Sequence, residues 1–145
     1  MGIWSKLNNF SPCENWGDKK KVNGLLLILL DLITNKVKEN SWDKYRKVTP
    51  CIIHCAYKTE GHSENSQHYK GNAVDFHFEN ISAKDVYYII KNVLESYQLD
   101  DFVGFGVYPE WYKQGFHLDV RGYRARWTRI GGIYKAIDKG IVLLK

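Results

Sequence analysis

At 145 residues the chain is long enough to bury one core without staples, so a single domain over 1–145 is the simplest expectation. A hydrophobic share of 44% and an aromatic share of 14% exclude a disordered chain. The formal charge of +5 favours an anionic partner, whether nucleic acid, a wall polymer or a membrane surface, and does not choose among them.

Residues 1–18 read as irregular, because Asn8, Asn9, Pro12, Asn15 and Gly17 interrupt any regular pattern. The opening MGIWSKLNNF has neither the basic n-region nor the long apolar h-region of a secretory leader. Lys6 stands where a myristoylation pattern needs Ser or Thr. Export by some route other than an encoded leader is therefore expected. From about Lys19 to Glu39, Val22, Leu25, Leu26, Leu29, Ile33 and Val37 recur at helical spacing. The run GLLLILLDLI is the most apolar stretch, yet Asp31 interrupts it and it is far short of a bilayer span, so a core helix and no membrane insertion are expected.

Cys13, Cys51 and Cys55 are an odd number, which argues against a disulfide framework and for buried structural thiols. No second cysteine pair follows Cys51 and Cys55, as a zinc knuckle requires. Cys51 to Tyr57, Ala73 to Phe78 and Phe116 to Arg121 read as strands. Between the last two, Ser82 with Asp85 three residues on resembles a capping box, and Val86, Ile89, Ile90, Val93, Leu94 and Tyr97 form one helical stripe.

Alternation along the strands carries the chemistry, because side chains two apart share a face. In AVDFHF, Val74, Phe76 and Phe78 point one way while Ala73, Asp75 and His77 point the other. In FHLDVR, Phe116, Leu118 and Val120 face the core while His117, Asp119 and Arg121 face outward together. A catalytic zinc takes three protein ligands of imidazole and carboxylate type and keeps a fourth position open to water. His68, Asp75 and His117 can supply that set, with Gly71 allowing a tight turn and Ala73 keeping bulk away.

The stretch SQHYKGNAVD, Ser66 to Asp75, resembles the Ser-x-His-x-x-Gly-x-Ala-x-Asp signature of the zinc D-alanyl-D-alanine peptidases. That family includes bacteriophage endolysins and has the hedgehog domain as a structural relative. Further on, VGFGVYPEWYKQGFHLDVR followed by Trp127 resembles the pattern of a murein endopeptidase branch, and CAYK stands where the family has Ser-Gly-Tyr-Arg. The likeness covers about residues 50 to 130. It implies a small α+β fold, an antiparallel sheet carrying a Zn2+ site and helices packed on the opposite face. It also implies metal ligands His68, Asp75 and His117, and hydrolysis of the peptide stems or cross-bridges of bacterial peptidoglycan, as an endopeptidase or D,D-carboxypeptidase.

Two positions depart from the family pattern. Lys58 stands where an oxyanion-stabilising arginine is common, keeping the charge without the bidentate fork. Gln114 and Gly115 occupy the positions from which relatives supply a general base, and neither takes a proton. Asp119 and Glu110 remain as candidate bases, with Asp119 equally suited to orienting a ligand histidine.

Other residues have plainer readings. His54, His62 and His77 read as hydrogen-bonded or exposed, with His77 also able to touch substrate. Tyr108, Trp111 and Tyr112 either line a groove or join the core. RGYRARWTR interleaves Arg121, Arg124, Arg126 and Arg129 with Tyr123 and Trp127, which fits single-stranded nucleic acid or a basic rim for an anionic wall, and no recognised nucleic-acid motif accompanies it. The leading expectation is a zinc peptidase of the cell wall, acting after holin release or delivery by a virion, with no nucleic-acid partner. A non-catalytic zinc module and a nucleic-acid binder are the alternatives, and oligomeric state stays open.

Overall fold

A computed structural model describes residues 2–145. Among the described residues the architecture is α+β, with one six-stranded sheet and three α-helices. In chain order these are α1 (Gly24–Tyr45), β1 (Cys51–Cys55), β2 (Ala73–Phe78), α2 (Ala83–Ser96), β3 (Gly104–Tyr108), β4 (Gly115–Asp119), β5 (Ala125–Ile130), β6 (Ile133–Lys135) and α3 (Ile137–Ile141). The strands lie in the order β1-β2-β4-β3-β5-β6. All neighbours are antiparallel except β3 and β5, so the sheet is mixed where a wholly antiparallel one was expected.

The expected alternation sorts the two faces. Val74, Phe76, Phe105, Val107, Phe116 and Leu118 are buried on one side together with Leu26, Leu30 and Ile33 of α1 and Val86, Ile90 and Leu94 of α2. The other face keeps the polar residues. Of the three cysteines expected as buried thiols, only Cys51 is buried; Cys55 lies half-buried on the polar face beside Asp75, and Cys13 is exposed in the N-terminal segment. Among the described residues, no helix is long and apolar enough to cross a membrane.

Helix α1 begins later and ends later than its apolar spacing predicts. Asn23 caps it by accepting from the Leu25 N–H at 2.9 Å, and Arg46 closes it in the left-handed region. Leu25 is exposed, while the intruding Asp31 is buried for a reason. Its carboxylate accepts from the backbone N–H groups of Asn8 and Asn9 and from Asn9 Nδ2. The N-terminal segment, expected to be irregular, is thereby fastened to α1. Trp16 inserts into the core with no exposure and gives its indole N–H to the Ser11 carbonyl at 2.8 Å. Helix α2 starts as expected, with Ser82 Oγ accepting from the Asp85 N–H at 3.0 Å.

Candidate metal centre

The site forms on the polar face, where register sets residues from five strands side by side. Asp75 of β2 pairs with His117 of β4, His117 with Gly106 of β3, and Gly106 with Trp127 of β5, while Cys55 of β1 flanks Asp75 on the other side. Neighbouring positions on one face lie about 5 Å apart, close enough for side chains to share a ligand. His68 enters from a 3₁₀ turn, Gln67–Lys70, whose start is capped by Ser66 Oγ. The turn ends at Gly71 in the left-handed region, and a side chain there would collide with the Lys21 carbonyl. The loop thus aims His68 at the strand residues, as the spacing predicts.

The three expected ligands converge. Asp75 Oδ1 lies 3.2 Å from His68 Nε2 and 2.9 Å from His117 Nδ1. Nitrogen and oxygen donors set tetrahedrally at roughly 2.0–2.1 Å from a divalent ion are about 3.3 Å from one another. The observed separations fit one shared cation, and donor atoms of all three residues lie within 4.8 Å of each other. His68, Asp75 and His117 therefore form a group able to hold a metal ion.

Each histidine is oriented through its other nitrogen. His68 Nδ1 lies 2.7 Å from the Ala56 carbonyl, which leaves Nε2 facing Asp75. His117 Nε2 lies 2.7 Å from Asp119 Oδ2, which leaves Nδ1 facing Asp75. Asp119 is wholly buried and also takes a two-pronged bond from Arg121, with Nε at 2.8 Å and Nη2 at 2.7 Å, and the Gly104 N–H at 3.2 Å. Burial alone would push its carboxyl up, but Arg121 and then His117 outweigh that and hold it well below the usual carboxylate range. Asp75 follows the same pattern, with burial overcome by hydrogen bonds from His117 and His68.

The base candidates need correction. Asp119 stands behind His117 with its lone pairs engaged and no exposure, so it orients a ligand and cannot reach a water in the cleft. Glu110 sits outside the cleft, in a separate hollow with Trp111 and Gly132, where it accepts the Gly131 N–H. Lys58 is exposed and does not line the cleft; its backbone N–H donates to the His68 carbonyl at 3.2 Å and its charge is felt by Cys55 and His62. Gln114 is structural, donating to the Pro109 and Leu143 carbonyls.

The cleft in front of the three donors has a volume of about 760 Å³. Besides the donors, it is walled by His62, Glu64, Tyr108, Trp127, Arg129 and Tyr134. His62, Glu64 and Tyr134 are lining groups that spacing did not single out. His62 stacks on His68 with ring centroids 4.2 Å apart, and burial followed by the neighbouring His68 charge holds its imidazole below the ordinary value. Its sequence neighbourhood is polar loop, which carries no periodic signal.

Tyr108 lines the cleft and accepts from Trp127 Nε1 at 2.9 Å; Trp111 stacks on Tyr108, whereas Tyr112 is 98% exposed and lies outside the cleft. His54 and His77 are hydrogen-bonded, as expected, with 2.6 Å between them and Glu79 3.0 Å beyond His77. Three of the four arginines of RGYRARWTR have carboxylate partners: Arg121 with Asp119, and Arg124 and Arg126 with Asp100.

A comparison with protein-family models finds no match, and a comparison with curated proteins finds none either.

Proposed function

We propose that the protein is a zinc-dependent peptidase that hydrolyses a bond in the peptide moiety of bacterial peptidoglycan. The observation that carries the reading is the convergence of His68, Asp75 and His117 at the floor of one open cleft. Two imidazoles and one carboxylate are a donor set suited to zinc, and they leave room in front for water and substrate. When bound, zinc lowers the pKa of water from about 15.7 toward about 7 and polarises a carbonyl oxygen.

The chain's own residues supply the rest. Asp119 and Arg121 hold His117 in one tautomer and orientation, and the Ala56 carbonyl does so for His68. His62, whose imidazole burial holds below its ordinary value, and Glu64 are the cleft groups able to accept the proton of an attacking water. Arg129, Trp127 and Tyr134 form a cationic and aromatic wall that suits a peptide stem carrying free carboxylates. The choice of peptidoglycan follows the resemblance of SQHYKGNAVD and FHLDVR.

The test incubates protein loaded with one zinc per chain with purified sacculi and identifies fragments by mass spectrometry. New amines or released D-alanine are expected, lost on chelation and in His68→Ala. Intact sacculi in a preparation shown to hold zinc would overturn catalysis and leave a metal-containing recognition module.

A further inference from the structure

Strand β5 divides its side chains between two faces. Arg126 turns to Asp100, and the buried Thr128 donates to the Val107 carbonyl at 2.7 Å. Trp127 and Arg129 turn to the polar face, where both line the cleft. Arg121, Arg124 and Arg126 are each matched to an aspartate, whereas Arg129 makes no ion pair among the described residues. Glu110, which shares the neighbouring hollow with Arg129, gives its Oε1 to the Gly131 N–H instead.

The free guanidinium is nonetheless held in place. Arg129 pairs with Tyr134 of β6 across the antiparallel ladder, and its Cζ stands 5.4 Å from the centre of the Tyr134 ring. On the other side, the parallel register that sets Val107 against Thr128 brings Tyr108 next to Arg129. The Tyr108 oxygen accepts the Trp127 indole N–H at 2.9 Å, and its own O–H has no acceptor among the described residues. Burial pushes that phenol far up, so it stays a donor. A cation and a phenol O–H thus stand side by side in the cleft wall with no acceptor from the protein itself.

Register also fixes how far this pair stands from the metal donors. Two strand steps of about 4.8 Å separate His117 from Trp127, and Arg129 lies two residues of about 3.3 Å each further along β5. The Cα atoms of His117 and Arg129 are therefore roughly 12 Å apart. After the two side chains are allowed for, one or two extended residues at about 3.3–3.6 Å each span the gap.

We propose that Arg129, steadied by Tyr134 and assisted by the Tyr108 hydroxyl, is a subsite that selects peptides with a free carboxylate one or two residues from the bond held at His68, Asp75 and His117. The guanidinium fork gives a carboxylate two parallel hydrogen bonds, whereas an amide offers it a single oxygen. Stems whose carboxylates are amidated are thereby disfavoured. The inference deepens the reading of the cleft as a site for peptidoglycan peptides and rests on it.

The test measures binding. The full chain, stripped by chelator, is co-sedimented with purified sacculi freed of phosphate polymers by hydrofluoric acid, with their carboxylates either free or amidated by carbodiimide and ammonia. The ratio of the two Kd values should be about tenfold larger for the parent than for Arg129→Gln, the bulk charge effect being common to both. Arg129→Lys should recover only part of the difference, because charge returns without the fork. Lys47→Gln removes the same charge from an exposed position outside the cleft and should keep the parent's ratio. Equal ratios in the parent and Arg129→Gln overturn the subsite, as does an equal drop in Lys47→Gln. So does a loss in Arg129→Gln confined to sacculi that still carry phosphate polymers, which makes the ligand a phosphate. Nothing is cut in chelator, so digestion without discrimination at Arg129 would sink this inference alone, and discrimination without digestion would sink the peptidase alone.

Discussion

His117 shows how much of the site is settled by single atoms. Burial opposes a charge on it, yet hydrogen bonds to Asp119 and Asp75 outweigh burial and raise its imidazolium above the ordinary value in the metal-free protein. Such a raised group stabilises the fold fully below its unfolded value of about 6.5, and that contribution is lost as pH rises through the folded value. Asp75 and Asp119 are depressed, so their contribution is complete above about pH 4 and is lost as pH falls. Urea midpoints measured in chelator should therefore decline on both sides of a plateau between about pH 4 and pH 6.5. Because a metal must displace the Nδ1 proton, affinity in a chelator competition should rise with pH across the alkaline limb. Asp119→Asn should weaken metal binding about 10- to 100-fold in the same competition, since His117 loses the partner that fixes it.

Among the elements, β3 is the most instructive, because its glycines are what make the site fit. A methyl on Gly106 would lie 2.7 Å from the Trp127 ring, and one on Gly104 would lie 2.6 Å from both Arg121 Nε and Asp119 Oδ1. The bare strand leaves its polar face to the side chains of β4 and β5. The sequence GFGVY lacks the period-two pattern of a half-buried strand, as its polar face carries almost nothing, and β3 was not legible for that reason. Strand β5 was obscured differently, since ARWTRI reads as a basic surface until Arg126 finds Asp100 and Trp127 covers Gly106. Gly104→Ala should cost about 1–3 kcal/mol in urea denaturation, because β4 and β5 hold β3 from both edges and the methyl has nowhere to go. The same variant should lose metal affinity, since Asp119 must shift. By contrast β2 and the start of α2 were readable, because their polar and apolar residues alternate or recur without interruption.

At the scale of the molecule, the N-terminal segment is a structural part of the domain. Trp16 packs against Trp4 and Phe10, and its carbonyl accepts the Tyr57 N–H at 2.9 Å, just before the loop that carries His62 and His68. The Gly71 carbonyl accepts the Asn23 N–H at 2.8 Å, tying the His68 turn to the start of α1. Trp16→Ala should cost about 3–5 kcal/mol, measured by urea unfolding. That is a large share of the roughly 5–15 kcal/mol of a typical domain, so the variant should melt far below the parent.

Asp75 and His117 were legible before any fold was known, because strand alternation states which side chains share a face, and His68 was legible through the resemblance of SQHYKGNAVD to a zinc-peptidase signature. The same alternation fails at the bulge between Ile53 and Cys55 of β1, beside bare glycines and in a polar loop, where direction depends on what the partner strand or the facing side chain permits. Cys55 comes beside Asp75 through cross-strand register, His62 enters the cleft by stacking on His68, and burial turns Asp119 behind His117. Those are relations between distant parts of the chain, and no local pattern of residues encodes them.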